Sequence, residues 1–354
     1  MPMLLERSPT PAATAVETAL FDDLDEVARD AGGALDREAQ PSLYDRLDWL
    51  RLTRDHVLPA ARLLAARARL GDDRAWLFLH DRGAGRASAF AGWYTLAVAP
   101  VFTPGSPDAV RSRLLRSLAH ALRGLDRIDL APLEADAAAR LREAFRPRGW
   151  WAVEREETAN WTAPVGGCRF DDYWAARPSR LRNTVRRRSR NGDLTVRVLD
   201  SFDDRAWAAY EHVYAGSWKP AEGSPAFLRA LARMEGKAGS LRLGLAYRGD
   251  RPVAGQFWTV GGGVATIHKL AYLDAERARS PGTLLSHAMF RHVIEHDRPA
   301  VIDYGNGDEP YKADWMTERR VLRRLSLFNA RRLGGLARAA GAGASAFARS
   351  VRRG

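Results

Sequence analysis

Residues 301–315 read Val-Ile-Asp-Tyr-Gly-Asn-Gly-Asp-Glu-Pro-Tyr-Lys-Ala-Asp-Trp. A short apolar run ends in a glycine turn crowded with acids, tyrosines and one lysine. A rigid strand end that feeds such a loop holds polar groups where a ligand can meet them. Asp303, Asp308 and Glu309 are candidate proton acceptors, Tyr304 and Tyr311 candidate donors, and Lys312 a candidate anion clamp. The same residues also fit a plain capped turn, with Pro310 opening a helix. The lysine carries weight because the chain holds 51 arginines and only 4 lysines, Lys219, Lys237, Lys269 and Lys312. A lysine kept in that background marks a place where a planar guanidinium would not serve, although Lys237 reads as ordinary surface.

Upstream, residues 273–285 read as a strand end, a basic loop and a helix start, Ser280-Pro281-Gly282-Thr283-Leu284. Helix N-termini expose unpaired N–H groups and a partial positive charge, so they receive phosphates. Arg277 and Arg279 add charge, and Gly282 admits close approach. An ordinary cap, with Ser280 at N-cap and Pro281 at N1, explains the same pattern. Seven arginines fall in residues 177–191, either a polyanion surface or a solvated basic face. Tyr214 and Ser217-Trp218-Lys219 suggest the lip of a pocket as readily as packed aromatics. The histidines lack metal spacing: His287 and His292 lie five apart, and His268 reads as a strand residue near a site. No metal is expected. Gly-x-Ser-x-Gly and Walker patterns are absent from the sequence.

The 354 residues suffice for two domains, with 46% hydrophobic and 28% charged residues. No apolar run reaches the ~20 residues that span a bilayer, and no signal-peptide pattern opens the sequence. Cys168 is the only cysteine, so no disulfide forms within the chain. A cytoplasmic location is the default expectation. The net charge of +12 favours an anionic partner: phosphorylated cofactor, nucleic acid or lipid surface.

These groups must be positioned by a mixed α/β chain. Periodicity predicts helices over 14–30, 55–68, 107–122, 135–145, 170–189, 204–214, 225–234 and 281–295. Strands are expected at 74–80, 88–102, 127–130, 151–162, 194–199, 240–247, 252–260, 264–273, 300–304 and 321–329. Residues 164–167 read as a linker. Each half contains a proline-opened helix leading to an Ile-Asp strand, a weak internal repeat in which only the second copy carries the polar turn. Residues 331–354 hold six arginines and no acid, a basic helix or arm suited to anionic surfaces.

The ordered series of arginine-rich helix, Tyr…Ser-Trp-Lys, Pro-Val-Ala-Gly-Gln, His-Lys-Leu-Ala-Tyr, Ser-Pro-Gly-Thr-Leu-Leu and Gly-Asn-Gly-Asp-Glu-Pro-Tyr-Lys resembles GNAT acetyltransferases of the CelD-like branch. It is also similar to the Fem-type (FemABX-like) peptidyltransferases, which use two GNAT-like domains. The resemblance covers about 170–327. It implies an α/β (α+β) fold of tandem GNAT-like domains, each a twisted mixed sheet flanked by helices. By it, 1–40 is an N-terminal segment, partly disordered or helical, 41–165 a degenerate GNAT-like domain, 166–330 the acyltransferase domain and 331–354 a basic tail.

The resemblance further implies an acyl-CoA co-substrate, acetyl-CoA or longer, entering between two splayed strands. Tyr272, Arg277, Arg279, Ser280, Gly282, Thr283 and Leu284 would receive it. Leu284 stands where the common loop has a second glycine or an alanine, which leaves another acyl carrier open. Asp303 or Asp308 would take the amine proton, Tyr304 or Tyr311 would protonate the leaving group, and Lys312 would orient an anion. Trp218, Lys219, Gln256, His268, Lys269 and Glu309 would bind substrate. Charged tRNA as donor, or a non-enzymatic basic module for nucleic acid or membrane, are the alternatives. The amine acceptor, a cell-envelope or polysaccharide precursor or a small amine, stays open.

Overall fold

The computed structural model describes residues 15–190 and 192–341. The first half runs β1 (Glu17–Phe21), α1 (Leu24–Ala31), α2 (Leu47–His56), β2 (Arg62–Leu70), β3 (Asp73–Gly83), β4 (Arg86–Ala89), β5 (Val101–Phe102), α3 (Asp108–Ala121), β6 (Arg127–Leu133), α4 (Ala135–Phe145) and β7 (Trp150–Pro164). The second runs α5 (Phe170–Ala175), α6 (Ser179–Ser189), β8 (Thr195–Leu199), α7 (Asp204–Ala215), α8 (Pro225–Lys237), β9 (Leu241–Arg248), β10 (Arg251–Gly261), β11 (Val264–Tyr272), α9 (Pro281–His292), β12 (Val301–Asn306) and β13 (Glu318–Asn329).

Each half builds the same sheet. An antiparallel meander, β2-β3-β4 or β9-β10-β11, is followed by a helix and a parallel return strand, β6 or β12. The weak repeat in the sequence is therefore a repeat of structure. The halves then exchange their last strands, in the order β4-β6-β13-β7-β12-β11. β13, from the end of the second half, pairs with β6, while β7 pairs with β12. β7 and β13 pair with each other antiparallel from Glu318–Thr162 to Asn329–Trp150. Leu325 and Leu327 of β13 thus pack in the first-half core with Ile128 and Phe145. Ala163 of β7 packs in the second-half core with Ile302 and Phe290. A further apolar cluster joins the halves, where Trp49 of α2 meets Phe227 of α8 edge-on at 5.3 Å.

Several expectations for local structure do not hold. Residues 17–21 form a strand, not part of a helix; Asp23 stops it and caps α1, accepting from the N–H groups of Asp25 and Glu26. Residues 62–70 are rich in alanine, leucine and arginine yet form β2, because pairing on both edges overrides helix propensity. The expected strand over 88–102 is two short strands around a loop that begins after Ala89. The expected helix over 170–189 is broken at Pro178 into α5 and α6. Residues 333–341 are helical, and the tail beyond them lies outside the described residues, as do residues 1–14.

Asp45, in a single helical turn before α2, lines a small cavity with Trp49, Leu50 and Phe78. Burial pushes its carboxyl up to about 6, against the opposing Ser42 hydrogen bond and Arg46 charge. A folded pKa above the unfolded one contributes stability at low pH that is lost as pH rises through about 6. Asp45→Asn is expected to stabilise the fold at pH 8 by at most about 3 kcal/mol and to be neutral near pH 4. Urea unfolding at the two pH values checks this; equal effects at both would refute it.

Candidate active site

The parallel pairing of β11 with β12 covers only Val264–Val301, Ala265–Ile302 and Thr266–Asp303. Both strands are irregular just beyond it. On β11 the register to β10 skips His268, which bulges between Ile267 and Lys269. On β12 the register to β7 slips between Asp303 and Asn306, with Gly305 at φ +74°. A bulge bends its strand and ends pairing, so the two strands part here. The gap is a cleft of about 440 Å³. Its floor and one side come from Ile267–Leu270, Tyr304–Gly307, Glu309, Tyr311 and Lys312. The far wall is the first-half loop 92–96, with Glu157 and Thr158 of β7.

The polar turn is built as a set of ties. Asp303 is largely buried and turned to the backbone: Oδ1 accepts from Asn160 Nδ2 at 2.8 Å and from the N–H of Gly305 at 2.7 Å. Burial raises its pKa, opposed by these two donors. Lys312 is buried, and its ammonium donates to the carbonyls of Gly305 (3.3 Å), Asn306 (2.7 Å) and Gly307 (3.2 Å) while pairing with Glu309 at 2.9 Å. Three convergent donors in a tetrahedral head suit this nest, which a planar guanidinium would not fill. Lys312 therefore holds the loop through these contacts. Asp308 is exposed, paired with Arg319 and accepting from Trp161 Nε1 at 3.1 Å, and it does not line the cleft.

Glu309, Tyr304 and Tyr311 do line it. Burial works against the charge on Glu309, but Lys312 outweighs it and holds the carboxyl below its usual range. Burial and the charge of Glu309 push the Tyr311 phenol up, although its residue is 39% exposed. Tyr304 is buried and raised further by desolvation. His268 donates to or accepts from Thr259 Oγ1 at 2.8 Å and stacks on Phe257; burial pushes it down to about 3, so it is neutral. Lys269 pairs with Glu222 at 2.7 Å, and Glu222 also accepts from the Tyr94 hydroxyl at 2.6 Å. Lys219 lines the cleft beside the exposed Trp218, which packs on Tyr272 at 4.2 Å. Gln256 does not reach the cleft; it donates to Ser286 Oγ at 2.7 Å.

The expected phosphate-binding residues gather at the start of α9. Gly282 lies against Tyr272, where a Cβ would sit 2.7 Å from the ring. Ser280 caps nothing with its side chain and takes a left-handed φ of +57°. A recess of about 260 Å³ beside it is lined by Arg279 and Leu284, together with Arg188 of α6, Arg248 of β9, Asp193, Leu194 and Pro281. Arg277 and Thr283 do not line that recess. Arg188 donates to the Ala278 carbonyl, so α6 reaches the α9 start. Sequence reasoning missed Arg188 and Arg248 here. In the cleft it missed Trp93, Tyr94, Leu96 and Glu157, and behind Lys269 its partner Glu222. Gly92-Trp93-Tyr94 carries a signal, two aromatics after a turn glycine, but its distance from the second half lies only in the fold.

Residues 175–313 match the acetyltransferase (GNAT) domain family. This part of the chain is a GNAT domain. No curated protein matches the sequence. Among solved structures, FemX is similar with a TM-score of 0.62 at 12% identity, over 90% of this chain and 99% of that one. A conserved protein from Bacteroides thetaiotaomicron VPI-5482 gives 0.54 at 14%, over 88% and 100%. L-PGS from Bacillus licheniformis gives 0.51 at 10%, over 71% and 80%. At such identities the likeness is one of fold, and the fold is a tandem of GNAT-like units with Fem-like architecture. No helix among the described residues is long and apolar enough to cross a membrane.

Replacing Lys312 by Met leaves three carbonyls without their donor, so it is expected to destabilise the fold by about 3 kcal/mol. Amide exchange across 301–315 should rise with it. Asp308→Asn, altering an exposed pair, should move neither quantity. Urea unfolding and exchange mass spectrometry test both; a neutral Lys312→Met would overturn the loop-holding role.

Proposed function

We propose that the protein is an N-acyltransferase whose acceptor amine binds in the cleft between the two halves. The observation that supports this most is the splay: β11 and β12 stop pairing at two adjacent bulges inside a GNAT domain, and the polar turn closes the opening. Acyl transfer needs an aligned amine, a proton acceptor, a polarised carbonyl and a protonated leaving group. Glu309 is ionised and on the cleft wall, and it takes the amine proton as nitrogen attacks the acyl carbon. Backbone N–H groups of β11 released by the splay polarise the carbonyl oxygen. The bond to the leaving sulfur or oxygen breaks, and Tyr311, kept protonated by its raised pKa, donates to it. Asp303 and Lys312 hold the turn that carries both groups.

Acyl-CoA is the first donor, with its phosphates at the basic recess beside α9. Aminoacyl-tRNA is the second, favoured by the FemX-like architecture and by the exposed arginines of α6, Arg180, Arg182, Arg186 and Arg187. The acceptor class extends to cell-envelope or polysaccharide precursors. A thermal-shift panel with acetyl-CoA, longer acyl-CoAs and charged tRNA separates the donors: one class should stabilise the full chain, and no shift from any would count against the reading. With the donor found, Glu309→Gln is expected to lower kcat roughly a hundredfold while the fold persists; an unchanged kcat would remove Glu309 from the role of base.

A further inference from the structure

Three of the four lysines, Lys219, Lys269 and Lys312, line the one cleft, and no arginine does. In a chain with 51 arginines that placement calls for a physical reason. Lys312 fills its carbonyl nest and pairs with Glu309. Lys269 pairs with Glu222 and lies over the Tyr94 ring at 5.1 Å. Glu157, the other acid on the wall, pairs with Arg324 through Nε at 2.6 Å. Lys219 is different. Among the described residues its ammonium makes no ion pair and no hydrogen bond, and its contact is the Trp218 ring at 5.8 Å. It is half-buried.

We propose that Lys219 is the anion-binding group of the cleft, and that the acceptor carries one acidic group, a carboxylate or a phosphate, seated against it. The inference rests on reading the cleft as the acceptor site. The charges of the cleft cancel in pairs except this one, so a single negative group completes it. An unpaired, partly desolvated ammonium is costly, and a bound anion relieves that cost. The segment that carries Lys219 is fixed in place. Ser217 Oγ donates to the Tyr214 carbonyl at 2.7 Å. Glu222 and Ser224 lock onto Tyr94 of the first half, and Ser224 Oγ donates to the His56 carbonyl at 3.0 Å. Burial and the charges of Lys269 and Lys312 push Lys219 down to about 8, against the opposite pull of Glu309 and Glu222. It is charged at neutral pH and loses its charge through about 8, and anion binding must weaken over the same interval.

Labelling of the full chain with trinitrobenzenesulfonate, followed by peptide mapping, tests this without an assay of acyl transfer. The exposed Lys237 serves as reference. At pH 8 Lys219 is expected to react roughly tenfold faster than Lys237, because about half of a group lowered to about 8 is the free amine at that pH. Inorganic phosphate or acetate, at ionic strength held constant with chloride, should slow Lys219 roughly threefold, leave Lys237 unchanged, and lose this effect above pH 9. Protection by phosphate alone assigns a phosphate-bearing acceptor, and by acetate alone a carboxylate. Labelling of Lys219 no faster than Lys237, or indifferent to both anions, overturns the proposal. Lys219→Met removes no hydrogen bond and should fold. With an acceptor in hand it should raise KM far more than it lowers kcat, and a fall confined to kcat would contradict the assignment. Anion protection with no acyl transfer would leave the anion site standing and remove the transferase reading.

Discussion

Two bulges, placed side by side on neighbouring parallel strands, set the arrangement of the site. At His268 the backbone of β11 takes in one residue more than β10 can pair, and around Gly305 β12 takes in one more than β7, pairing with it again at Asn306–Asn160. Without both, β11 and β12 would zip together to their ends and leave no room for a ligand. The bulge on β12 is held by Asp303, whose carboxylate takes the Gly305 N–H and the Asn160 amide. The turn beyond it is held by Lys312. Acids and lysine that look catalytic by type are therefore in part the fasteners of the opening, and the groups facing into it are their neighbours Glu309 and Tyr311.

The strand exchange gives that opening a second wall. Because β7 lies between β12 and β13, the first half is anchored directly beside the splay rather than tethered by a flexible linker. The loop 92–96 reaches the turn, where Asn306 Nδ2 donates to the Leu96 carbonyl at 2.9 Å. Trp93, 86% exposed, stands at the mouth. The first half has its own meander and parallel return, and its β4–β6 pairing also stops after three residues, Arg86–Ser88 against Arg127–Asp129. The polar turn of the second half has no counterpart after that pairing, where β6 ends in Ala131-Pro132-Leu133.

Much of the second half was legible in its sequence because the signals are local. Pro281 marked the α9 start, and the polar turn sat directly after an apolar strand. The boundaries that failed were those where tertiary pairing overruled composition. The alanine-rich β2 reads as helix until its neighbours on both edges are known, and Pro178 divides what arginine and leucine spacing suggests is continuous. For the site, residue type found the turn, while direction escaped it: nothing in Asp303-Tyr304-Gly305 says that the aspartate folds back onto the backbone.

By itself the sequence determined the GNAT-like second half, the location of its polar turn and the scarcity of lysine against arginine, since all three are properties of residue type and order. Tertiary structure alone decided that β7 and β13 trade places, that Arg188 and Arg248 join the α9 start, and that three distant lysines share one cleft. It also decided their different fates. A lysine's charge is free or spent according to which carbonyls and carboxylates stand within about 3 Å of it, and that distance is set by segments far apart in the chain. So the feature that first marked Lys312 as a ligand clamp ends by marking Lys219, the one of the three cleft lysines with no ion pair or side-chain hydrogen bond among the described residues.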